Sequence, residues 1–143
     1  MQQYISQKRE APEVLAERAY RDGFFIEAIQ ILHAYLENQA QELLMLVGSV
    51  HFNSSLQETW DLAETFSFHD CLNALFILNQ ITKTEFDEFR EVNTLRNKVV
   101  HQIFKEPYEK KHLGVSKMEY DKIFHRTLEQ IDFFSQKNAD IIE

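Results

Sequence analysis

The sequence predicts an all-α protein: an up-and-down bundle of four principal helices, with a short extra helix at the N-terminus. Three observations carry this reading. Only three Gly and two Pro occur in 143 residues, too few turn residues for a β-sandwich or barrel. Apolar residues make up 44 % of the chain and aromatics 13 %, with twelve Phe among them, which supplies a core and excludes a disordered chain. In long stretches the apolar residues recur every three or four positions, the period of one helix face. A chain of this length suits one domain, here residues 1–143, with residues 1–11 expected to be a loose polar tail.

Pro12 has no N–H to lose at a helix start, so it suits the first turn of a short helix over residues 12–21. Gly23 breaks that helix. From residue 24 to 47, Phe25, Ala28, Ile29, Leu32, Tyr35, Leu36, Leu43, Leu46 and Val47 trace one face of a long helix, expected to stop near Gly48. Residues 51–55 form a loop through Asn53, Ser54 and Ser55. Residues 56–81 read as one broken helix or two short ones, with Ser67 capping the second piece and Asp70 three residues on. Thr82 or Thr84 starts the next helix, with Glu85 and Asp87 in its first turn, where anions are favoured. It runs to about Phe104, since Pro107 forbids much continuation. Residues 106–114 form a charged loop. Ser116 caps a last helix, with Glu119 in the capping-box position, and Tyr120, Ile123, Phe124, Thr127, Leu128, Ile131 and Phe134 line its apolar face.

The formal charge of −8 argues against a general basic-surface binder of nucleic acid. The charge is uneven, however. Residues 96–112 hold five Lys/Arg against two acids, a local +3 that leaves −11 for the remainder. That stretch is either a binding surface or a solvated loop. Cys71 is the only cysteine, which excludes an internal disulfide and a cysteine-based zinc site and fits a reducing compartment. No apolar signal core stands at the N-terminus and no apolar run approaches the roughly 20 residues of a membrane span. The expectation is a cytoplasmic protein without a membrane partner.

The chemistry is concentrated in Leu95-Arg96-Asn97-Lys98-Val99-Val100-His101. Arg96 is a permanent cation with a fork of donors for phosphate oxygens, and His101 can take and return a proton near neutral pH. Each residue turns a helix by about 100°. With Arg96 at zero, Val92, Leu95, Val99 and Ile103 fall on a core arc near 300°, while Asn93, Asn97 and His101 fall at about 60°, 100° and 140°. Asn93, Asn97 and His101 are therefore i, i+4, i+8 neighbours on one flank, with Arg96 at its core-side edge. A solvated face more usually carries Glu and Lys, and Asn is a poor helix former. The polar strip either hydrogen-bonds a neighbouring helix or second subunit, or it is catalytic.

Arg96-Asn97-x-x-x-His101 resembles the signature of HEPN domains (higher eukaryotes and prokaryotes nucleotide-binding), an Arg followed by a polar residue and, after a short gap, a His. The stretch Ala19-Tyr20-x-x-Gly23-x-x-x-Glu27-Ala28-Ile29 through Leu36-Glu37 is similar to the early part of many such domains, and the resemblance covers nearly the whole chain. It implies an up-and-down helical bundle, a homodimer whose motif helices face each other, and a metal-independent endoribonuclease without a cofactor, acting as a toxin or defence effector. Carried over, His101 deprotonates the ribose 2′-OH or protonates the leaving oxygen, Arg96 holds the scissile phosphate, and Asn97 orients the phosphate or His101. Lys98, Asn93 and Lys105 would contact the RNA substrate, and Glu37 would orient His101 or Arg96. Toxin members pair with an antitoxin or a nucleotidyltransferase partner. In some, that partner modifies a Tyr two residues after the His. Here that position is Ile103, which puts this mode of silencing in doubt. Other members are non-catalytic modules for protein interaction or nucleotide binding.

Other constellations point elsewhere than to chemistry. A bundle-type di-iron site needs two Glu-x-x-His pairs, and only Glu109-x-x-His112 has that spacing, so no metal site is expected. The absence of a Gly-rich phosphate loop excludes P-loop or Rossmann binding. Cys71 reads as a buried structural residue, and His33 and His125 as partly buried or surface histidines.

Overall fold

The computed structural model describes residues 10–105 and 116–142, with side chains for residues 10–101 and 116–142. These residues form six helices and no strand: α1 (Pro12–Arg21), α2 (Phe25–His51), α3 (Leu56–Ala63), α4 (Phe68–Ile77), α5 (Lys83–Lys105) and α6 (Lys117–Ile142). The all-α bundle expected from composition and periodicity is what the chain adopts. No described helix is long and apolar enough to cross a membrane.

Local chemistry sets most of the boundaries. Pro12 opens α1, and Gly23 takes a φ of +91° in the turn to α2, a conformation that costs a residue with a Cβ. Residues 56–81 divide into two helices. Ser55 caps α3 by accepting from Glu58 N, and Ser67 caps α4 by accepting from Asp70 N at 3.1 Å. After α4, Asn79 turns the chain at a φ of +58°. Thr82 starts α5 with a reciprocal capping box: its Oγ1 accepts from Glu85 N at 3.1 Å, and its own N–H donates to Glu85 Oε1 at 2.8 Å. Ser116 caps α6 by accepting from Glu119 N at 3.2 Å.

One boundary differs from the sequence expectation. α2 does not stop near Gly48 but passes through it to His51, a run of 27 residues and about 40 Å. Gly48 serves a close approach instead of a stop. A Cβ built there would lie 2.8 Å from Cγ2 of Thr59 on α3, so the missing side chain is what lets α3 lie against α2.

α2 is the central element, packed against α1, α3, α4 and α6, while α5 packs against α4 and α6. The main core gathers Leu32, Leu36, Leu43 and Val47 of α2, Leu72 and Leu75 of α4, and a set of aromatic rings. Phe68 meets Phe134 and Phe89 edge-on at 6.2 and 6.5 Å, and Phe89 lies 5.0 Å from Phe134. Burying each such side chain stabilises the fold by roughly 1.5–3 kcal/mol. A second, smaller cluster of Ile29, Val99 and Ile123, with Leu95, Ile26 and Tyr120 against it, anchors the later turns of α5.

On α6 the predicted face holds: Ile123, Phe124, Thr127, Ile131 and Phe134 are buried. Buried polar residues are the part that periodicity missed. Gln41 donates to the carbonyls of Phe66 (2.8 Å) and Glu64 (3.3 Å), tying the α3–α4 connection to α2. Asn138 donates to the Gln39 carbonyl at 3.2 Å. Phe133, next to the buried Phe134, is half-buried against Phe89 at 5.2 Å. The predicted loop at 106–114, with the Glu109–His112 pair, lies outside the described residues.

Candidate functional site

The helical phasing of the motif is realised on α5. Val92 and Val99 are buried and Leu95 is half-buried, so the core arc faces inward. Asn93, Arg96 and Asn97 are half-buried at its edge, while Lys98 and His101 are exposed. The side chains of Ile103 and Lys105 lie outside the described residues. Arg90, Glu91, Thr94, Lys98 and His101 share the exposed face of the helix.

Arg96 makes one side-chain hydrogen bond and feels one nearby opposite charge. Its Nη2 donates to Oδ1 of the adjacent Asn97, so the amide that the resemblance turns toward phosphate or His101 is here engaged with Arg96. Its Nε is buried and has no partner among the described residues, and the same is true of Asn93 Oδ1. Burial lowers the Arg96 pKa, opposed by the charge of Glu37 on α2. Glu37, expected from the sequence to orient Arg96 or His101, thus acts electrostatically on Arg96.

Glu37 is also fixed by the backbone of a third helix. Its Oε2 accepts from the N–H of Phe68, the first residue of α4, at 3.1 Å. Helix N-termini favour an anion there because their first N–H groups lack intrahelical partners. Ser67 satisfies a second of those donors. One carboxylate therefore links α2 to the start of α4 and supplies negative charge toward α5.

The residue that sequence reasoning missed is His33. It stands four residues before Glu37 on the same face of α2, with Nε2 at 3.9 Å from Glu37 Oε2, and its side chain is only 17 % exposed. Its ring meets Phe68 edge-on at 5.8 Å. Burial first, and the Arg96 charge second, push its pKa down to about 4, so the ring is neutral near pH 7. The His33-x-x-x-Glu37 spacing was visible as an i, i+4 pair. Its convergence on Arg96, 63 positions later, was not.

Cys71, on α4, is fully buried. Burial, with the charges of Glu37 and Asp70 adding to it, pushes the thiol up to about 12, which leaves no useful thiolate for nucleophilic chemistry. Among the described residues no group of three His, Cys, Asp or Glu side chains is placed to hold a metal ion.

The arrangement offers a half-buried guanidinium bonded to Asn97 and lying in the field of Glu37, and a solvent-facing imidazole five residues further on. Five residues advance the helix by about 7.5 Å and turn it by about 140° relative to the starting residue. Arg96 and His101 of one chain therefore diverge around α5, with only the length of the Arg side chain to bring them together. No family model matches the chain, and no curated protein or solved structure matches it.

Proposed function

We propose that the protein is a metal-independent endoribonuclease of HEPN type that acts as a homodimer, as a toxin or defence effector. The observation that carries this reading is the solvent-facing His101 on the same helix as an Arg96 whose guanidinium is oriented by Asn97. In the proposed reaction an imidazole removes the proton from a ribose 2′-OH. The freed oxygen attacks the adjacent phosphorus, and the bond to the 5′ oxygen breaks. A second imidazole, from the partner chain, donates the proton that the leaving oxygen takes up. The products are a 2′,3′-cyclic phosphate and a 5′-OH end. Arg96 offsets the charge that grows on the non-bridging oxygens. Two motif helices face to face relieve the angular divergence within one chain, because each His101 works beside the other chain's Arg96. They also double the local positive charge in an otherwise acidic molecule. Lys98, exposed beside His101, and Lys105 would contact the RNA backbone.

A second reading has an observation in its favour. Arg96 is half-buried and already engaged with Asn97 and the field of Glu37, as a residue with a purely structural role would be. On that reading the chain is a non-catalytic HEPN-like domain for protein interaction or nucleotide binding. One experiment separates the two: purified protein is incubated with structured and unstructured RNA in EDTA, beside His101→Ala and Arg96→Ala variants. Cleavage by the parent chain that both variants lack supports the ribonuclease. A folded, dimeric parent chain that leaves every RNA intact supports the interaction domain.

A further inference from the structure

The end of the bundle away from the motif carries an unusual combination of exposed apolar side chains and one-signed charge. Phe52, Leu56 and Leu62 are 63 %, 57 % and 67 % exposed, in and beside α3. Two hollows flank α3. One, of about 310 Å³, lies between Glu42 and Met45 of α2 and Leu56 and Trp60 of α3. The other, of about 220 Å³, is walled by Leu44, Leu62, Phe66 and Leu78, with Gly48 at the α2–α3 approach. The two hollows share no lining residue and lie on opposite flanks of α3, and the larger, with exposed Leu56 and the Trp60 ring on its wall, is the one that an apolar contact would fill.

The charge pattern identifies the occupant. Between Arg21 and Lys83 the sequence contains no Lys or Arg at all, and eight Asp or Glu. That run comprises α2, α3 and α4. Glu42 lines the larger hollow, and Glu58, Asp61 and Glu64 are exposed along and just after α3. A nucleic acid or an anionic membrane is repelled from such a surface. A second copy of the chain using the same face would set these acids against themselves, since a two-fold interface pairs like with like. A cationic partner with apolar anchors satisfies both features.

We propose that α3 and the C-terminal half of α2 form the docking surface for a basic amphipathic helix of a partner protein. Its apolar residues at i, i+3, i+4 and i+7 fill the larger hollow against Met45, Leu56 and Trp60, and its Lys and Arg flank them against Glu42 on one side and Asp61 and Glu58 on the other. The surface is independent of the α5 motif, so it stands whether or not the chain cleaves RNA.

Trp60 is the sole tryptophan and lines the larger hollow, which makes it a built-in reporter. The probe is a synthetic Leu/Lys amphipathic helix without Trp. Its controls are a Leu/Glu peptide with the same apolar face and a Lys-rich peptide with no apolar face. The Leu/Lys peptide is expected to give a saturable blue shift of Trp60 emission. Leu56→Ser and the double reversal Glu58→Lys/Asp61→Lys are each expected to weaken it tenfold or more, with helix content by circular dichroism unchanged, whereas Leu62→Ser on the opposite flank is expected to leave it unaltered. Asp132→Lys on α6 is expected to leave it unaltered. The proposal is overturned by a flat titration, by equal binding of either control peptide, or by equal loss in Asp132→Lys. It is also overturned if Leu56→Ser abolishes self-association of the chain, or if phosphatidylglycerol vesicles shift Trp60 emission as the peptide does.

Discussion

The carboxylate of Glu37 accepts the first backbone N–H of α4, that of Phe68, at 3.1 Å. The same carboxylate lies 3.9 Å from His33 and acts on the charge of Arg96. Removing it therefore has separable effects on structure and on charge. Glu37→Ala loses the helix-end acceptor and the charge, and is expected to destabilise the fold by about 1–3 kcal/mol. Glu37→Gln keeps an acceptor for Phe68 and is expected to cost less. In an Arg96→Gln background the cost of Glu37→Gln should shrink by about 1 kcal/mol, because the cation it balanced is gone. Urea denaturation of the four proteins of that cycle measures this, and strictly additive costs would disprove the coupling.

His33 makes stability depend on pH in a defined window. Its folded-state pKa, about 4, lies below the ordinary 6.5. As pH falls, the unfolded chain takes up the proton first, so stability is lost from about pH 6.5 down to about 4 and is unaffected above it. The full loss attributable to this group is roughly 3 kcal/mol. His33→Gln should flatten that part of a plot of urea midpoint against pH. A parallel decline in the variant and its parent would show that other groups are responsible.

Gly48 sits inside a helix, where Ala is ordinarily better by about 1 kcal/mol. Here the expected sign is reversed. The new Cβ would meet Thr59 Cγ2 at 2.8 Å, and Thr59 is held in place by donating through Oγ1 to the Ser55 carbonyl at 2.6 Å. Gly48→Ala is expected to lower Tm. Thr59→Ser keeps that hydroxyl bond and removes the methyl group, so Gly48→Ala in the Thr59→Ser background should be neutral or stabilising.

His101 and Arg96 should differ in stability while agreeing in activity. His101→Ala replaces an exposed side chain and should stay within about 0.5 kcal/mol of the parent. Arg96→Ala removes a half-buried stem and the bond to Asn97 and should cost about 1–2 kcal/mol. Both should abolish RNA cleavage measured in EDTA. Arg96→Lys should restore little of it, since an ammonium lacks the planar fork.

How legible each feature was depended on how far apart in the chain its causes lie. The caps at Ser67 and Ser116 were readable, and that of α5 narrowed to Thr82 or Thr84, because donor and acceptor stand three residues apart. The phasing of Asn93, Arg96, Asn97 and His101 was readable because one helix fixes it. Gly48 was misread as a stop because the meaning of a glycine depends on what faces it, and Thr59 faces it from another helix. Gln41 was missed because the carbonyls it satisfies belong to the connection between α3 and α4. His33 was missed for the same reason, its partner being on α5. The run without Lys or Arg from 22 to 82 is plain in the sequence, but it acquires meaning only when folding puts its acids beside exposed Leu56 and Leu62.

α3 packs on α2 and has no other principal neighbour among the described helices. Eight residues, one buried alanine and a side-chain cap hold it there. The rest of the bundle can therefore keep its core while α3 lifts away, so this helix forms its own unit of local opening. In hydrogen exchange the amides of α3 should lose protection well before those of α2, on which they lie. A ligand seated in the larger hollow, bridging α3 and α2, would slow that exchange selectively, so the bound state would be visible as a change in motion confined to these eight residues.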